Sequence, residues 1–244
     1  VLRRVFAGLD AVGVTRIIAM PDISNLCAVA QDATSETLSF ELLDMNIFND
    51  EEDTSTAANL MVRDGVACVV TLGGDGTNRA VAAQMDNVPL VPISTGTNNV
   101  FPESTEGTVA GLAAGLVACN LVDIKKVTTR PNVLEVLISE SKNEIALVDV
   151  AISKERFVGA RAIWDMDTVH EIFLSRSEPA TIGLSAIGAA LPILKTDKQT
   201  GLHLLLGTGG HSVIAPIAPG LVRAVPVKEW ESMYVDAPIA VGLS

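Results

Sequence analysis

VACVVTL, residues 66–72, runs directly into GGDGTN, residues 73–78. The first run is almost wholly apolar, which predicts a strand covered on both faces. Asn78 to Met85 has helical character, so the glycine-rich loop joins a buried strand to a helix. A helix start presents N–H donors that lack intrahelical partners, together with the positive end of the helix dipole. Glycines let the backbone approach a phosphate without a Cβ in the way, and they permit φ > 0. An Asp in such a loop would only add like charge to a phosphate. Asp75 must therefore serve otherwise, by accepting a proton from an attacking hydroxyl or by holding a divalent cation. The alternative for Asp-Gly is a hairpin turn, but Arg79, Ala80, Val81 and Ala82 lack the alternation of a following strand.

A second loop has the same setting. Pro92-Ile93-Ser94-Thr95-Gly96-Thr97-Asn98-Asn99 ends the apolar strand candidate Val88 to Ile93. In a parallel sheet both loops leave from one carboxyl edge, which is where open α/β sheets place ligands. Ser, Thr and Asn side chains serve phosphate, ribose or a base without adding charge. An ordinary capped βα loop would draw on the same residue types.

Outward from these loops, strand-like and helix-like segments alternate. Val1 to Val12 reads as a helix with Val5, Leu9 and Val12 on one face and Gly13 as its stop. Thr15 to Met20 and Leu38 to Met45 read as strands, and Thr54 to Asp64 as a helix with acids at its front and Gly65 behind it. Glu103 to Cys119 reads as a packing helix rich in Ala, Leu and Gly. The rhythm implies an α/β fold with a parallel sheet and helices on its faces. The second half reads as β-rich. Val133 to Ile138 and Glu144 to Ser153 suggest a hairpin across SESKN, and Leu202 to Leu206 and Val213 to Ile217 another across GTGGH. Val222 to Val227 alternates, and helices are expected near Asp167 to Leu174 and Ala180 to Leu191. Two domains result: 1–124, an α/β nucleotide-binding domain, and 125–244, a β-rich domain that completes the site.

Composition excludes some classes of function. The 244 residues are 48% hydrophobic and 19% charged, with a formal net charge of −12 and a pI near 4.6. Disorder and fibrous repeats need a very different balance. A broad nucleic-acid face and a basic membrane-surface helix both need clustered positive charge. No Lys precedes Lys125, so a Walker-type Gly-Lys-Ser/Thr site is impossible in the first half. The longest apolar stretch, Ala180 to Leu194, falls short of a membrane span. Cys27, Cys68 and Cys119 have no metal spacing and read as buried free thiols. With no signal peptide visible, a reducing cytoplasm is the expected location.

The two loops together resemble the ATP-NAD kinase and diacylglycerol kinase-like superfamily. The runs VTLGGDGTNRAVAA, VPLVPISTGTNNVFP, TVAGLAAGLVA, EIALVDVAIS and ERFVGARAIW resemble its acetoin-catabolism X-type branch more closely. The resemblance spans most of the chain. It implies an NAD kinase-like fold, with an N-terminal parallel α/β domain followed by a β-rich one, and transfer of a phosphoryl group from ATP with Mg²⁺ to a hydroxyl. In NAD kinases that hydroxyl is the 2′-hydroxyl of the adenosine ribose of NAD. The resemblance makes Asp75 the base or metal-positioning residue. Gly73, Gly74, Gly76, Thr77 and Asn78 then line the phosphates, and Thr95, Gly96, Thr97, Asn98 and Asn99 form the nucleotide-contacting loop. NAD kinases also carry an Asn-Glu/Asp pair on a second-domain strand; here Asp149 is kept and Val148 replaces the Asn. Their Thr-Pro-Thr-Gly-Ser-Thr-Ala-Tyr segment is matched only by Pro179 and Gly183 within Glu178 to Ser185, without the stacking Tyr. Homo-oligomers are usual in the family.

The expectation is therefore an ATP-dependent kinase acting on NAD or another small hydroxyl-bearing substrate. Two rivals stand beside it: a kinase for a lipid or sphingoid hydroxyl, and a non-catalytic nucleotide-binding accessory or regulatory protein. Lys154, Arg156 and Arg161 are candidate cations, as is Arg79, with a solvated face as the alternative. GTGGH, residues 207–211, reads as a hairpin turn before it reads as a third phosphate loop. His170 and His203 have no partner at ligand or triad spacing. Ser185 in GLSAIG is one residue out of the nucleophile-elbow spacing.

Overall fold

The structure, a computed structural model, describes residues 1–32, 35, 37–85, 87–139, 142–154, 165–193, 201–235 and 238–241. The chain forms two compact units, Val1–Gly96 with Phe101–Arg130, and Thr97–Val100 with Pro131–Ser244.

The first unit contains α1 (Leu2–Ala11), β1 (Arg16–Ala19), α2 (Leu26–Gln31), β2 (Ser39–Leu42), α3 (Glu51–Arg63), β3 (Val69–Gly73), α4 (Asp75–Ala82), β4 (Leu90–Ser94), α5 (Gly107–Ala118) and α6 (Ile124–Val127). The strands form two parallel pairs, β1 with β2 and β3 with β4. Each pair is connected through a helix, as parallel strands require. Val5, Phe6 and Leu9 of α1 and Ala110 and Ala114 of α5 share one core with Ile17 and Ile93. Ala58 of α3 and Val81 of α4 pack with Val69 in a separate core. The α1–α5 crossing is close because it is built on glycine: a Cβ on Gly111 would lie 2.1 Å from the Val5 carbonyl oxygen. Gly13, at φ +89°, follows the last turn of α1.

Two helices begin earlier than their apolar spacing suggests. Asp50 caps α3 and accepts from Glu52 and Asp53 N–H, while the Asp53 carboxylate accepts from Phe48, Asn49 and Asp50 N–H. This reciprocal box carries the helix back to Glu51. α4 starts at Asp75, inside the glycine-rich loop. Strand β3 starts at Val69 rather than Val66, and its residues alternate between buried and half-buried instead of being covered equally on both faces. A cavity of about 590 Å³ lies within this unit, walled by α1, β1, α3 and β3 and lined mostly by apolar side chains.

The second unit contains β5 (Leu134–Ser139), β6 (Lys142–Ala146), β7 (Asp149–Ser153), β8 (Val169–Leu174), α7 (Leu184–Ala189), β9 (Gly201–Ala218) and β10 (Leu221–Met233). β5 and β6 form a hairpin, and the other four strands form an antiparallel sheet in the order β10-β9-β8-β7. Its core joins Ile172 and Leu174 to Leu184 and Ile187 of α7, with Leu202, Leu204, Val225 and Val227.

Three sequence expectations change here. Glu144 to Ser153 is two strands in two sheets: the chain breaks at Leu147-Val148, whose carbonyls are bound by the Ser175 hydroxyl. Asp167 to Leu174 is no helix. After a single 3-10 turn it becomes β8, because Ile172, Phe173 and Leu174 are buried between β7 and β9. GTGGH is not a hairpin turn either. β9 runs through it, and the reversal comes at Pro219-Gly220, where Gly220 has φ +72°. Register passes from Pro226↔Ser212 to Val227↔Leu206, so residues 207–211 bulge out of the ladder. Gly210 sits there against the Val227 carbonyl, where a Cβ would come within 2.2 Å.

Candidate nucleotide site

β3 and β4 lie side by side and parallel, with Gly73 opposite Ser94. Their following loops therefore leave from one edge, and Thr95 N–H reaches the Gly73 carbonyl at 3.4 Å. Gly74, in extended conformation, is the N-cap of α4 and supplies no side-chain acceptor to its first turn. An eight-residue helix thus begins within the motif, with its dipole at the loop. Gly73, Gly74 and Gly76 all have negative or extended backbone geometry, so none uses the left-handed freedom that glycine allows. What Gly73 does need is the missing Cβ. One placed there would lie 2.6 Å from both Cβ and Oγ1 of Thr77. Gly76 is exposed, and a Cβ there would meet nothing.

Asp75 is the first residue of α4. Phe101 N–H donates to its Oδ1 at 2.7 Å. The loop after β4 then returns to the strand edge, where Ser94 N–H donates to the Glu103 carbonyl at 2.8 Å. Asp75 and the end of the second loop are therefore bonded, with Thr95 and Gly96 exposed between. Asn78, expected to line the phosphates, presents no surface to do so. It is fully buried, accepting from the Thr71 hydroxyl at 2.6 Å and donating to the Gly74 carbonyl at 2.8 Å.

Thr97, Asn98 and Asn99 belong, with Asp149, to the second compact unit. Thr97 Oγ1 donates to Asn98 Oδ1 at 3.1 Å. Asp149 opens β7 half-buried opposite Leu174, and its neighbour Val148 is buried. Arg156 and Arg161 lie outside the described residues. Arg79 is ion-paired with Glu51 at the start of α3, so its charge is already shared.

Composition and spacing passed over Arg176 and gave His203 no partner. Arg176, after β8, keeps only 20% of its side chain exposed and lies 3.9 Å from Glu178. His203 stands between two carboxylates: Nδ1 is 3.0 Å from Glu231 and Nε2 is 3.0 Å from Glu171, with the ring stacked 4.4 Å from Phe173. Its partners come from the strands on either side, with Glu231 directly opposite it in register, and sequence spacing carries no trace of that. Among the described residues no group of three or more His, Cys, Asp or Glu is arranged to hold a metal ion. Ser185 is fully buried with its hydroxyl donating to the Arg176 carbonyl, a packing role.

The three cysteines are free and half-buried. Burial pushes Cys68 up to about 11, and burial together with the Asp22 carboxylate does the same to Cys27. Among the described residues no helix is long and apolar enough to cross a membrane.

Residues 13–121 match the model of the ATP-NAD kinase N-terminal domain, and residues 132–244 match the acetoin catabolism protein X C-terminal domain. The chain is 38% identical over 252 residues to acetoin catabolism protein X of Cupriavidus necator, an alignment covering 98% of this chain and 70% of that protein. No solved structure matches the chain significantly.

Proposed function

The chain belongs to the family of acetoin catabolism protein X and carries an NAD kinase-like domain, and from that premise we propose an ATP-dependent kinase that phosphorylates a ribose hydroxyl of NAD. The observation that carries the reading is Asp75 at the first position of α4, its carboxylate oriented by the Phe101 N–H. A helix start favours phosphate, while a fixed carboxylate beside it takes up the proton of an attacking hydroxyl. The site then needs little covalent chemistry from the protein, because phosphoryl transfer is chiefly positioning and charge stabilisation.

The donor set fits a magnesium ion that arrives with the nucleotide. Mg²⁺ is commonly held by one or two carboxylates and by substrate phosphates, and Asp75 is the carboxylate of the glycine-rich loop. When bound, the ion supplies neutralisation of phosphate charge. Within the first unit, Gly73, Gly74, Gly76 and Thr77 would serve the phosphates, with Thr95 and Gly96 on the neighbouring loop.

A second reading has its own observation. Val148 is buried where NAD kinases have an Asn, which removes one polar contact to the acceptor. That favours an accessory protein of acetoin catabolism that binds nucleotide without turning it over. One experiment separates the two. Purified protein is incubated with ATP, Mg²⁺ and NAD, and NADP is read by a coupled absorbance assay while ATP binding is measured calorimetrically. NADP formation supports the kinase. Binding without product supports the accessory role, and neither binding nor product ends both.

A further inference from the structure

Asn78 follows the glycine-rich loop directly, yet none of its surface is exposed. Its two side-chain bonds have a direction that chemistry fixes. The Gly74 carbonyl can only accept, so the amide atom facing it is the donor Nδ2. Oδ1 then faces Thr71, and the Thr71 hydroxyl must be the donor at 2.6 Å. The same Gly74 carbonyl also accepts from Asn78 N–H at 3.1 Å. Two donors from one residue thus hold a single carbonyl.

That carbonyl belongs to the peptide joining Gly74 to Asp75. A trans peptide is planar, with its C=O and N–H pointing opposite ways. Drawing the carbonyl inward toward Asn78 turns the Asp75 N–H outward from the helix start, where an anion would meet it. A leucine would fill a buried position without polar atoms, so packing alone does not call for this pair. We propose that Asn78, locked in orientation by the Thr71 hydroxyl, is a positioning residue for phosphate recognition, acting through the Gly74–Asp75 peptide rather than by touching the ligand. The proposal rests on the nucleotide reading above only in taking the ligand to be a phosphate.

The test uses Thr71→Val, which keeps the shape and removes the donor, with Thr71→Ser as the conservative rescue. Three readouts are taken: the Asp75 and Gly76 amide signals of the unliganded protein, the affinity for inorganic triphosphate with Mg²⁺, and the melting temperature. We expect Thr71→Val to shift both amide signals and weaken triphosphate binding by about tenfold, and Thr71→Ser to restore both. A Thr71→Val protein that binds triphosphate as wild type does, whatever its melting temperature, overturns the proposal. So does weakened binding in which the Asp75 amide is unmoved. Should Thr71→Val not fold, Thr71→Ala, which also lacks the donor, takes its place under the same criteria. A wild-type protein that binds neither triphosphate nor ATP would end the nucleotide reading, while the amide signals still decide whether Thr71 and Asn78 set the Asp75 N–H.

Discussion

Asp75 carries the proposed chemistry and also ties the glycine-rich loop to Phe101 after β4, so its substitution must be chosen with both roles in view. Asp75→Asn keeps an oxygen that can accept the Phe101 N–H but removes the basic carboxylate. Its kcat should fall by roughly 10²–10⁴ with the melting temperature little changed; unchanged turnover would sink the proposed mechanism. Gly73→Ala tests the neighbouring contact. A Cβ at 2.6 Å from Thr77 forces the first turn of α4 to shift, at a cost of about 1–3 kcal/mol. A denaturant midpoint equal to wild type would show that the turn yields freely. At the thiols, burial raises Cys27 and Cys68 to about 11, so the folded state holds these protons more tightly than the unfolded chain. Their stabilising effect is complete at neutral pH and is lost as pH climbs from about 8.5 towards 11. At pH 8 both should react with a thiol reagent about two orders of magnitude more slowly than a free thiol, as site-resolved mass spectrometry would show.

Single elements separate what pattern can reveal from what only packing decides. The glycine loop, its strand and its helix are visible in sequence because punctuation by Gly and a change of period are local signals. The start of α3 at Glu51 is local too, but it is written in Asp50 and Asp53 rather than in apolar spacing. Asp53→Ala removes the acceptor for three backbone N–H groups in a buried setting. It should cost about 1–3 kcal/mol in chemical denaturation. Strand β8 is a different case. Val169 to Leu174 reads equally well as helix until β7 and β9 cover it on both edges. The long strand β9 hides its continuity behind Gly207 and Gly209, whose positive φ makes a bulge where a turn was expected. The same limit applies at the site. GGDGTN is legible as a glycine-rich junction between strand and helix, but the inward orientation of Asn78 depends on Thr71 seven residues earlier, and the pairing of Arg79 depends on Glu51 of another helix.

Over the whole molecule the charge is unevenly placed. Residues 1–124 hold sixteen acidic residues against five arginines, and residues 125–244 are nearly balanced. The glycine-rich loop therefore sits in the half that carries almost all of the net −12. Several of those arginines are already committed: Arg16 to Glu41 and Asp64, Arg4 to Glu106, and Arg79 to Glu51. A tetra-anionic nucleotide approaching the first unit, which stays net negative with Lys125, Lys126 and Arg130 counted, is repelled at long range, and the attraction of a helix start acts only within the first turn. Two consequences differ in sign. Without Mg²⁺, ATP should bind weakly, and raising the ionic strength from about 0.01 M to 0.15 M should tighten binding, because the Debye length shrinks from about 30 Å to about 8 Å and screens the repulsion. With Mg²⁺, the ion neutralises much of the phosphate charge, so affinity should rise and its salt dependence flatten. Calorimetric titration of ATP across that salt range, with and without Mg²⁺, reads both effects. Metal-free binding that weakens steadily with salt would instead mean that cations dominate the site, and phosphate recognition by backbone N–H groups and a helix dipole would have to be abandoned.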